Sequence, residues 1–212
     1  MSTPLLTFYQ KFGKRIIDLI ISSIAILLLW PFFLLVNLLI KINSPGPVIF
    51  KQKRVGKNGQ IFTFYKFRTM TNDAERLKEK YHHLNEADGP VFKIKNDPRY
   101  TKIGKILSHT GLDELPQLLN IIKGEMSFVG PRPLPIDEEI KIHLKYRKIR
   151  HLIRPGLTSP WVTNGAQHTY FQKWMESDLK YIGNISLKED VIIILKTLIL
   201  VAHSRIFNNF KD

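Results

Sequence analysis

LIISSIAILLLWPFFLLVNLLI, residues 19–40, is a run of 22 positions that contains no Asp, Glu, Lys, Arg or His. Its length suits a helix that crosses a membrane, which needs about 20 apolar residues. Pro31 lies near the middle, and a proline inside a helix kinks or breaks it. The resulting halves, 16–30 and 32–42, would be about 22 Å and about 17 Å long at about 1.5 Å per residue. Each half is therefore too short to cross a hydrocarbon core of about 30 Å.

Both flanks of this run are basic. The flanking cations are Lys11, Lys14 and Arg15 before it and Lys41, Lys51, Lys53, Arg54 and Lys57 after it. A helix that crosses the membrane would export one of these flanks, although Lys and Arg tend to stay on the cytoplasmic side. We therefore predict a re-entrant helix-break-helix at residues 14–42 that enters and leaves on the cytoplasmic face. An ordinary kinked membrane helix is the alternative, because membrane helices tolerate proline.

Asp18 is a charged residue within the first apolar turns. Lys14 lies four residues before it and Arg15 three, so one of them can reach Asp18 on the same helix face. We predict an intrahelical ion pair at the membrane surface, with a structural role. The alternative is that Asp18 faces the lipid headgroups.

The composition limits the kind of partner. The chain has 212 residues, enough for one domain of moderate size with a real core. Lys and Arg outnumber Asp and Glu by 32 to 18, and the net charge of +14 favours anionic partners such as acidic lipid, phosphorylated substrates or nucleic acid. The lack of cysteine excludes disulfides and thiolate metal sites. We predict one domain over residues 1–212, with the membrane segment at 14–42 and a cytoplasmic region at 43–212.

Periodicity beyond the membrane segment predicts a mixed structure. Two strands at 48–54 and 60–70 are joined by a hairpin turn at 56–59. Helices are predicted over residues 73–84, 101–107, 113–123, 135–150, 170–182 and 187–207, with a short strand at 91–94. The apolar stretch at 191–202 is too short to cross a membrane and is expected on its surface or in the core. The fold class is α+β: a re-entrant membrane helix, a small β-hairpin, and amphipathic helices on the membrane surface.

Residues 112–133, LDELPQLLNIIKGEMSFVGPRP, carry the strongest chemical signal. Asp113 and Glu114 begin a helical pattern that Lys123 and Gly124 close. A carboxylate at such a helix start can bind a metal ion or attack phosphorus as a nucleophile, and the helix N-terminus favours anions. Acidic residues are also common there as simple caps. The spacing alone leaves the two interpretations open.

Arginines at rigid turns are candidates for binding phosphate. They are Arg68 at the end of the second strand, Arg99 after Asp97-Pro98, Arg132 between two prolines, and Arg154 before Pro155-Gly156. Proline fixes the neighbouring backbone, and guanidinium groups bind phosphate bidentately. Each arginine taken singly is better explained as a surface ion pair, but four of them at rigid turns suggest phosphate binding.

Other functional classes fit less well. The stretch 60–70, QIFTFYKFRTM, interleaves aromatic and basic residues as some RNA-binding strands do, but it lacks their glycines and fits a half-buried strand better. The phosphate-binding, dinucleotide-binding and serine-nucleophile motifs do not occur. A glycoside hydrolase needs two carboxyls that flank a bond from about 5 to about 9.5 Å apart, which adjacent residues do not provide.

Taken together, these stretches closely resemble the bacterial sugar transferases, the monotopic phosphoglycosyl transferases. The matching blocks lie between residues 14 and 207: KRIIDLIIS, SPGPVIFKQKRVGKNG, FTFYKFRTM, NDPRYTKIGKIL, LDELPQLLNIIKGEMSFVGPRP and RPGLTSPW. Larger members of that family carry an extra multi-span N-terminal region, and this chain looks like the minimal catalytic form. The resemblance also favours the re-entrant form of the membrane segment, with its break at Pro31.

The resemblance implies a reaction and roles for particular residues. A sugar 1-phosphate would move from a UDP-sugar to polyprenol phosphate, such as undecaprenyl phosphate, with release of UMP. Asp113 would be the nucleophile of a ping-pong mechanism and Glu114 would assist, with Mg²⁺ held by both carboxylates and the diphosphate. Substrate binding is expected from Arg132, and from Lys66, Arg68, Asp97, Arg99 and Arg154. The expected location is the inner (cytoplasmic) membrane of a bacterium, with the catalytic region on its cytoplasmic face.

The chain departs from this pattern at two places. Members of the family usually carry basic residues shortly before the Asp-Glu pair, where this chain has Ser108 and His109. The helix break often holds Ser-Pro, where this chain has Trp30-Pro31. A rival interpretation is a membrane-anchored basic adaptor that binds acidic lipid or nucleic acid without catalysis. The sugar donor, the glycan pathway and the oligomeric state are left open.

Overall fold

A long N-terminal helix dominates the computed structural model, which describes residues 7–163 and 170–207. A π-helical turn, Tyr9–Gly13, leads into helix α1, Lys14–Asn43. Among the described helices, the stretch Tyr9–Asn43 is the one long and apolar enough to cross a membrane, with a mean hydropathy of 2.7. Only 11% of this apolar window is buried by the rest of the chain, so most of its surface is left for lipid.

The predicted break of the membrane segment at Pro31 is not confirmed. Residues on both sides of Pro31 are helical, and Pro31 itself lies inside α1. A proline removes one backbone hydrogen bond, and a helix can continue past it when the neighbouring turns keep theirs. The two predicted halves are therefore one element in the structure.

The first turns of α1 are bound to the rest of the protein by charged side chains. Arg15 donates hydrogen bonds to the carbonyls of Ile121 and Ile122. Lys14 forms an ion pair with Asp190, which is buried. The N-terminal end of α1 is thus joined to two later segments of the chain.

The predicted ion pair of Asp18 with Lys14 or Arg15 is wrong. The Asp18 carboxylate instead accepts a hydrogen bond of 3.1 Å from the backbone N–H of Phe128. Asp18 is 3% exposed, so it does not face the headgroups. The two cations are drawn away by partners outside the helix, which helical spacing alone cannot reveal.

The C-terminal end of α1 packs on the same body. Val36 and Ile40 are buried against Val48, Phe67 and Leu107 in one apolar cluster. The opposite face of α1 carries exposed Ile, Leu and Trp side chains along most of its length. The helix therefore lies against the protein at both ends and leaves one apolar face uncovered.

The predicted β-hairpin is confirmed. Strands β1, Ile49–Val55, and β2, Ile61–Phe67, pair antiparallel. The turn between them contains Asn58 at φ 55° and Gly59 at φ 74°, a left-handed conformation that Gly and Asn adopt most easily. Phe62 and Phe64 of β2 are buried in a second apolar cluster, which fixes the face that this strand turns to the core.

The Asp-Glu block lies in the first turn of a helical segment, as predicted, but that turn is 3₁₀ and lies between two α-helices. Helix α2, Lys102–Thr110, ends at Gly111 with φ 68°. A 3₁₀ turn, Leu112–Gln117, follows and leads into α3, Leu118–Lys123. The predicted helix over 113–123 is confirmed in part: helical residues run from 112 to 123, but the part that carries Asp113, Glu114 and Pro116 is 3₁₀. The predicted stop is confirmed, since Gly124 ends α3 at φ 81°.

A second, two-stranded sheet was not predicted. Strand β3, Ser127–Val129, pairs parallel with β4, Gly156–Thr158. A Cβ on Gly156 would lie 2.1 Å from the backbone nitrogen of Gly130, so only glycine permits this close approach. Strands of three residues give no usable alternation, and β4 follows Arg154 in the stretch that Pro155 and Gly156 predict to be a rigid turn.

The remaining helices agree with the predictions only in part. Residues 73–84 form successive turns that end in a 3₁₀ segment, His82–Leu84, and residues 91–94 form no strand. The predicted helix 135–150 is two short ones, α4, Ile136–Glu139, and α5, Leu144–Arg150. Three helices complete the described fold: α6, Pro160–Thr163, α7, Phe171–Gly183, and α8, Leu187–Phe207. The α+β class is confirmed, whereas the placing of amphipathic helices on the membrane surface stays a prediction.

Candidate active site

The structure brings Asp113 against a lysine from the hairpin. Asp113 lies in the 3₁₀ turn and is 4% exposed. Its Oδ2 atom is 3.1 Å from Nζ of Lys66, which β2 contributes. A buried carboxylate with one close cation is a group whose protonation depends strongly on that cation.

Opposing effects act on the pKa of Asp113. Burial raises the pKa, and the negative charge of Glu114 adds to this increase. The positive charges of Lys66 and Arg132 act in the opposite direction, but the net shift is upward. Lys66 is therefore the group that most strongly opposes the rise in the pKa of Asp113.

Glu114 faces a second cation. Its Oε1 atom lies 3.3 Å from Nη1 of Arg132, which follows Pro131 in the predicted Pro-Arg-Pro turn. Both side chains are partly exposed, at 25% for Glu114 and 34% for Arg132. Guanidinium donors that are only partly engaged remain able to bind a phosphate oxygen at this edge.

Two further cations lie near Arg132, and sequence analysis missed both as site residues. Arg54 stacks on Phe64, with its guanidinium carbon 3.8 Å from the ring centroid. Burial and then the charge of Arg132 lower the pKa of Arg54 and of Lys93 alike. Arg54 had been noted only as part of the basic flank, and Lys93 fell in a stretch interpreted as a strand.

Arg68 contacts the turn that ends α1. Its guanidinium donates to the carbonyl and hydroxyl oxygens of Ser44, at 2.8 and 2.7 Å. It also donates to the carbonyl of Pro45 and to the side chain of Asn72, both at 2.7 Å. These bonds fix the exit of the membrane helix relative to β2.

Asp97 and Arg99 form a buried pair with each other. Arg99 donates to Asp97 at 2.9 and 2.6 Å and to the carbonyl of Ala74 at 3.0 Å. Burial by itself would raise the pKa of Asp97, but the hydrogen bonds and charge of Arg99 outweigh it and lower the pKa. The pair joins the loop before α2 to the turns at 72–81.

Arg154 lies at the other end of α3. Its Nε atom donates to the carbonyl of Gly124 at 2.7 Å, so it caps that helix. Of the eight residues predicted for the site, the structure thus brings Asp113, Glu114, Lys66 and Arg132 together. The contacts described for Arg68, Asp97, Arg99 and Arg154 go to other parts of the protein.

The pair Asp113 and Glu114 fits a magnesium ion that arrives with a diphosphate. Mg²⁺ in phosphoryl-transfer sites is usually bound by one or two carboxylates together with substrate phosphates. Within residues 7–163 and 170–207, no three His, Cys, Asp or Glu side chains are grouped closely enough to hold a metal ion. The donor set therefore suits a shared ion and not a closed protein cage.

Ser108 and His109 stand where the family resemblance implies basic residues. They form hydrogen bonds with Tyr100 and Lys105, respectively, and not with the carboxylate pair. The Ser108 hydroxyl lies 2.9 Å from the hydroxyl of Tyr100. Nδ1 of His109 lies 2.7 Å from the carbonyl of Lys105. The cations beside the carboxylate pair come instead from β2 and the Pro-Arg-Pro turn.

Comparison with known proteins identifies the family of this chain. The sequence model described as bacterial sugar transferase matches residues 9–204. The chain belongs to the bacterial sugar transferase family. The exopolysaccharide production protein ExoY of Rhizobium meliloti is 39% identical over 197 residues, which are 91% of this chain and 87% of that protein.

Two similar proteins are named after a reaction. The undecaprenyl-phosphate galactose phosphotransferase of Salmonella typhimurium is 35% identical over 198 residues, or 89% of this chain. The UDP-glucose:undecaprenyl-phosphate glucose-1-phosphate transferase of Klebsiella pneumoniae is 37% identical over 193 residues, or 87% of this chain. The chain spans only 40% and 39% of the length of these two enzymes. The similarity therefore concerns one part of each of them.

Proposed function

We propose that this protein transfers a sugar 1-phosphate from a nucleoside-diphosphate sugar, with UDP-sugars as the first choice, to polyprenol phosphate. The observation that carries this proposal is the buried Asp113 beside Lys66, next to Glu114 paired with Arg132. A nucleophile for phosphorus and cations for phosphate oxygens stand together at this point. The names of the similar enzymes support the same reaction class.

The reaction would proceed by two displacements at one phosphorus atom. In the first, the free oxygen of Asp113 bonds to the phosphorus that carries the sugar, and the bond to the leaving nucleoside monophosphate breaks. In the second, an oxygen of polyprenol phosphate attacks the same phosphorus, and the bond to Asp113 breaks. The products are UMP, when the donor is a UDP-sugar, and a polyprenyl diphosphate-sugar.

Each of the surrounding side chains would have a separate role in the reaction. Lys66 holds Oδ2 of Asp113 at 3.1 Å, which leaves Oδ1 for attack. Arg132 would offset the charge that develops on the phosphate oxygens. Glu114 orients Arg132 through their ion pair. Together with Asp113 it would hold a Mg²⁺ ion, and the charge of that ion would stabilise the oxygen that leaves with the nucleoside monophosphate.

The membrane segment would enter the bilayer from one face only. Arg15 at one end of α1 and Val36 and Ile40 at the other all contact the same protein body. A helix that crossed a core of about 30 Å would hold its two ends on opposite sides of the membrane. The contacts support a segment that keeps both of its ends on one face of the bilayer, as a re-entrant arrangement requires, although α1 continues through Pro31. Such an arrangement would put the site at the cytoplasmic membrane surface of a bacterium.

Nucleotide exchange tests the covalent mechanism. Purified protein in nanodiscs, incubated with a UDP-sugar, Mg²⁺ and radiolabelled UMP but without polyprenol phosphate, should move label into the UDP-sugar. Asp113→Asn should abolish this exchange, because it removes the attacking oxygen's charge. Exchange should proceed with one sugar from a panel that includes UDP-glucose and UDP-galactose.

Two other results would contradict the proposal. Transfer to polyprenol phosphate that needs both substrates at once would exclude the covalent intermediate. Folded protein that transfers no sugar phosphate from any donor of the panel, yet binds acidic vesicles unless salt is added, would favour the adaptor interpretation. The binding function of an adaptor would also be unchanged in Asp113→Asn.

A further inference from the structure

Consecutive backbone carbonyls of the turn that carries Arg132 are each bound from a different direction. The donors and acceptors are Gly156 N to Pro131 O at 2.9 Å, Arg150 Nη2 to Arg132 O at 2.6 Å, Arg54 Nη1 to Pro133 O at 2.8 Å, and Val55 N to Leu134 O at 3.3 Å. The prolines of this turn have no N–H, so it has few backbone donors of its own. Its position depends on donors that come from β1, α5 and β4.

Arg150 is the donor that reaches the carbonyl of Arg132 itself. Its other contacts are to carboxylates on two helices: Nε to Asp178 at 3.0 Å and Nη1 to Glu139 at 3.2 Å. All three side chains are at most 4% exposed. The planar guanidinium is therefore held by carboxylates of α4 and α7, and its remaining nitrogen, Nη2, donates to the turn.

Burying these three charged side chains in the core costs desolvation free energy. Two carboxylates and one guanidinium are withdrawn from water, and apolar side chains of similar volume often stabilise a fold as well or better. Burial raises the pKa of Asp178 to about 6, even though Arg150 opposes the shift. A buried cluster of this kind is weak evidence for stabilisation of the fold, and its contact with the carbonyl of Arg132 points to a role in the site.

We propose that Arg150 is a positioning residue: through its hydrogen bond to the Arg132 carbonyl it keeps the Arg132 guanidinium at Glu114 and at the substrate phosphate. This inference rests on the proposed transfer reaction. Arg150 itself touches neither Asp113 nor Glu114 in the contacts described. A displacement of about 1 Å in a group that binds the transition state can lower a rate by about 100-fold, so a fixed carbonyl has catalytic value.

A double-mutant cycle separates positioning from general structural support. Arg150→Lys keeps the positive charge between the carboxylates but loses the planar fork, and should lower kcat/KM about tenfold, mainly through kcat. In an Arg132→Ala background the same change should have less than a twofold effect, because the side chain it positions is gone. Equal losses in both backgrounds would overturn the proposal.

Arg147→Lys is the matched control. Arg147 lies on the same helix and donates at 3.3 Å to the carbonyl of Ile140, away from the site. It should leave kcat/KM unchanged. If Arg150→Lys does not fold, the milder Asp178→Asn serves in its place, because it weakens the charge-assisted hold on Nε of Arg150 and should lower kcat/KM in the native background but not in the Arg132→Ala background.

Hydrogen exchange tests the positioning without relying on activity. The N–H groups of Val55 and Gly156 donate to the same turn, so Arg150→Lys should make both exchange several-fold faster. Amides of α2 should exchange as in the native protein. Unchanged exchange at Val55 and Gly156 would overturn the proposal. Faster exchange in a protein that transfers no sugar phosphate would instead overturn the proposed function and leave the contact established.

Discussion

At the scale of single residues, the site buries a carboxylate and offsets part of the desolvation free energy with an ion pair. Asp113 is buried and its pKa is raised, yet a nucleophile on phosphorus must be ionised. Lys66 opposes this rise through both its charge and a hydrogen bond, and is the close partner of the proposed nucleophile. The acid limit of activity should therefore be set by this pair.

Removal of Lys66 should move that limit. Burial raises the pKa of Asp113 and Lys66 opposes the increase, so Lys66→Met should raise the pKa further. At acid pH a smaller fraction of Asp113 is then ionised, and the acid limb of the kcat/KM profile should move to higher pH. At neutral pH we expect a loss of about 100-fold, as for other lost charge-stabilising groups.

Initial rates of UMP release between pH 5 and pH 9 measure this. Lys66→Arg keeps a cation and should move the limb less. Lys53→Met is the matched control, because Lys53 lies on the neighbouring strand and donates to Thr63 at 2.9 Å, away from the carboxylates. An unchanged acid limb in Lys66→Met would mean that another group sets it.

At the scale of elements, the close approach of α2 to the end of the hairpin decides where the Asp113 turn lies. Gly104 is an interior residue of α2, where alanine would normally stabilise by about 1 kcal/mol. A Cβ at this position would lie 1.8 Å from the carbonyl oxygen of Thr69. Helix α2 must therefore move away if any side chain is added.

Gly104→Ala should accordingly destabilise the protein by about 1–3 kcal/mol and lower transfer activity, since α2 leads directly into the 3₁₀ turn. Gly183→Ala is the control, because nothing lies within 4 Å of a Cβ at the end of α7. Thermal unfolding in detergent compares the two variants. A Gly104→Ala protein as stable as the Gly183→Ala protein would show that α2 is not closely packed on Thr69.

Elements with local signals were predictable and elements made by distant contacts were not. The hairpin, α2, α7 and α8 follow from alternation, caps and helical periodicity within short windows. The parallel pairing of β3 with β4 joins segments that are far apart in the sequence and only three residues long. Residues 73–84 had a helical composition, but they form turns in the structure.

The candidate site shows the same division. Asp113, Glu114 and Arg132 could be found because they occupy one stretch of 22 residues, and Lys66 because it falls in a matching block. Arg54, Lys93 and Arg150 were missed because their relation to Arg132 exists only after folding. Asp18 and Lys14 were paired wrongly for that reason, since helical spacing does not reveal partners such as Phe128 and Asp190.

At the scale of the whole molecule, the two ends of α1 on one protein body make membrane topology testable. The chain has no cysteine, so single cysteines can be introduced at the exposed Lys11 and Lys57. A membrane-impermeant maleimide should label neither in intact cells and both after permeabilisation. Leu28→Cys, on the exposed apolar face, should stay unlabelled in both conditions because lipid covers it.

A crossing helix predicts a different pattern. Lys11→Cys would then be labelled in intact cells while Lys57→Cys would not. That result would also require the contacts of Arg15 and Lys14 with the rest of the protein to be broken in the membrane.

The exposed apolar face of α1 has a kinetic consequence. Under the proposed function, a protein held in one leaflet by this face would meet its lipid acceptor by lateral diffusion in two dimensions, whereas its nucleotide substrate would arrive by diffusion in three dimensions. The rate should then depend on the mole fraction of polyprenol phosphate in the bilayer and not on its amount per volume of solution. Dilution of the acceptor with inert phospholipid would slow the enzyme, and dilution of the vesicles with buffer would not.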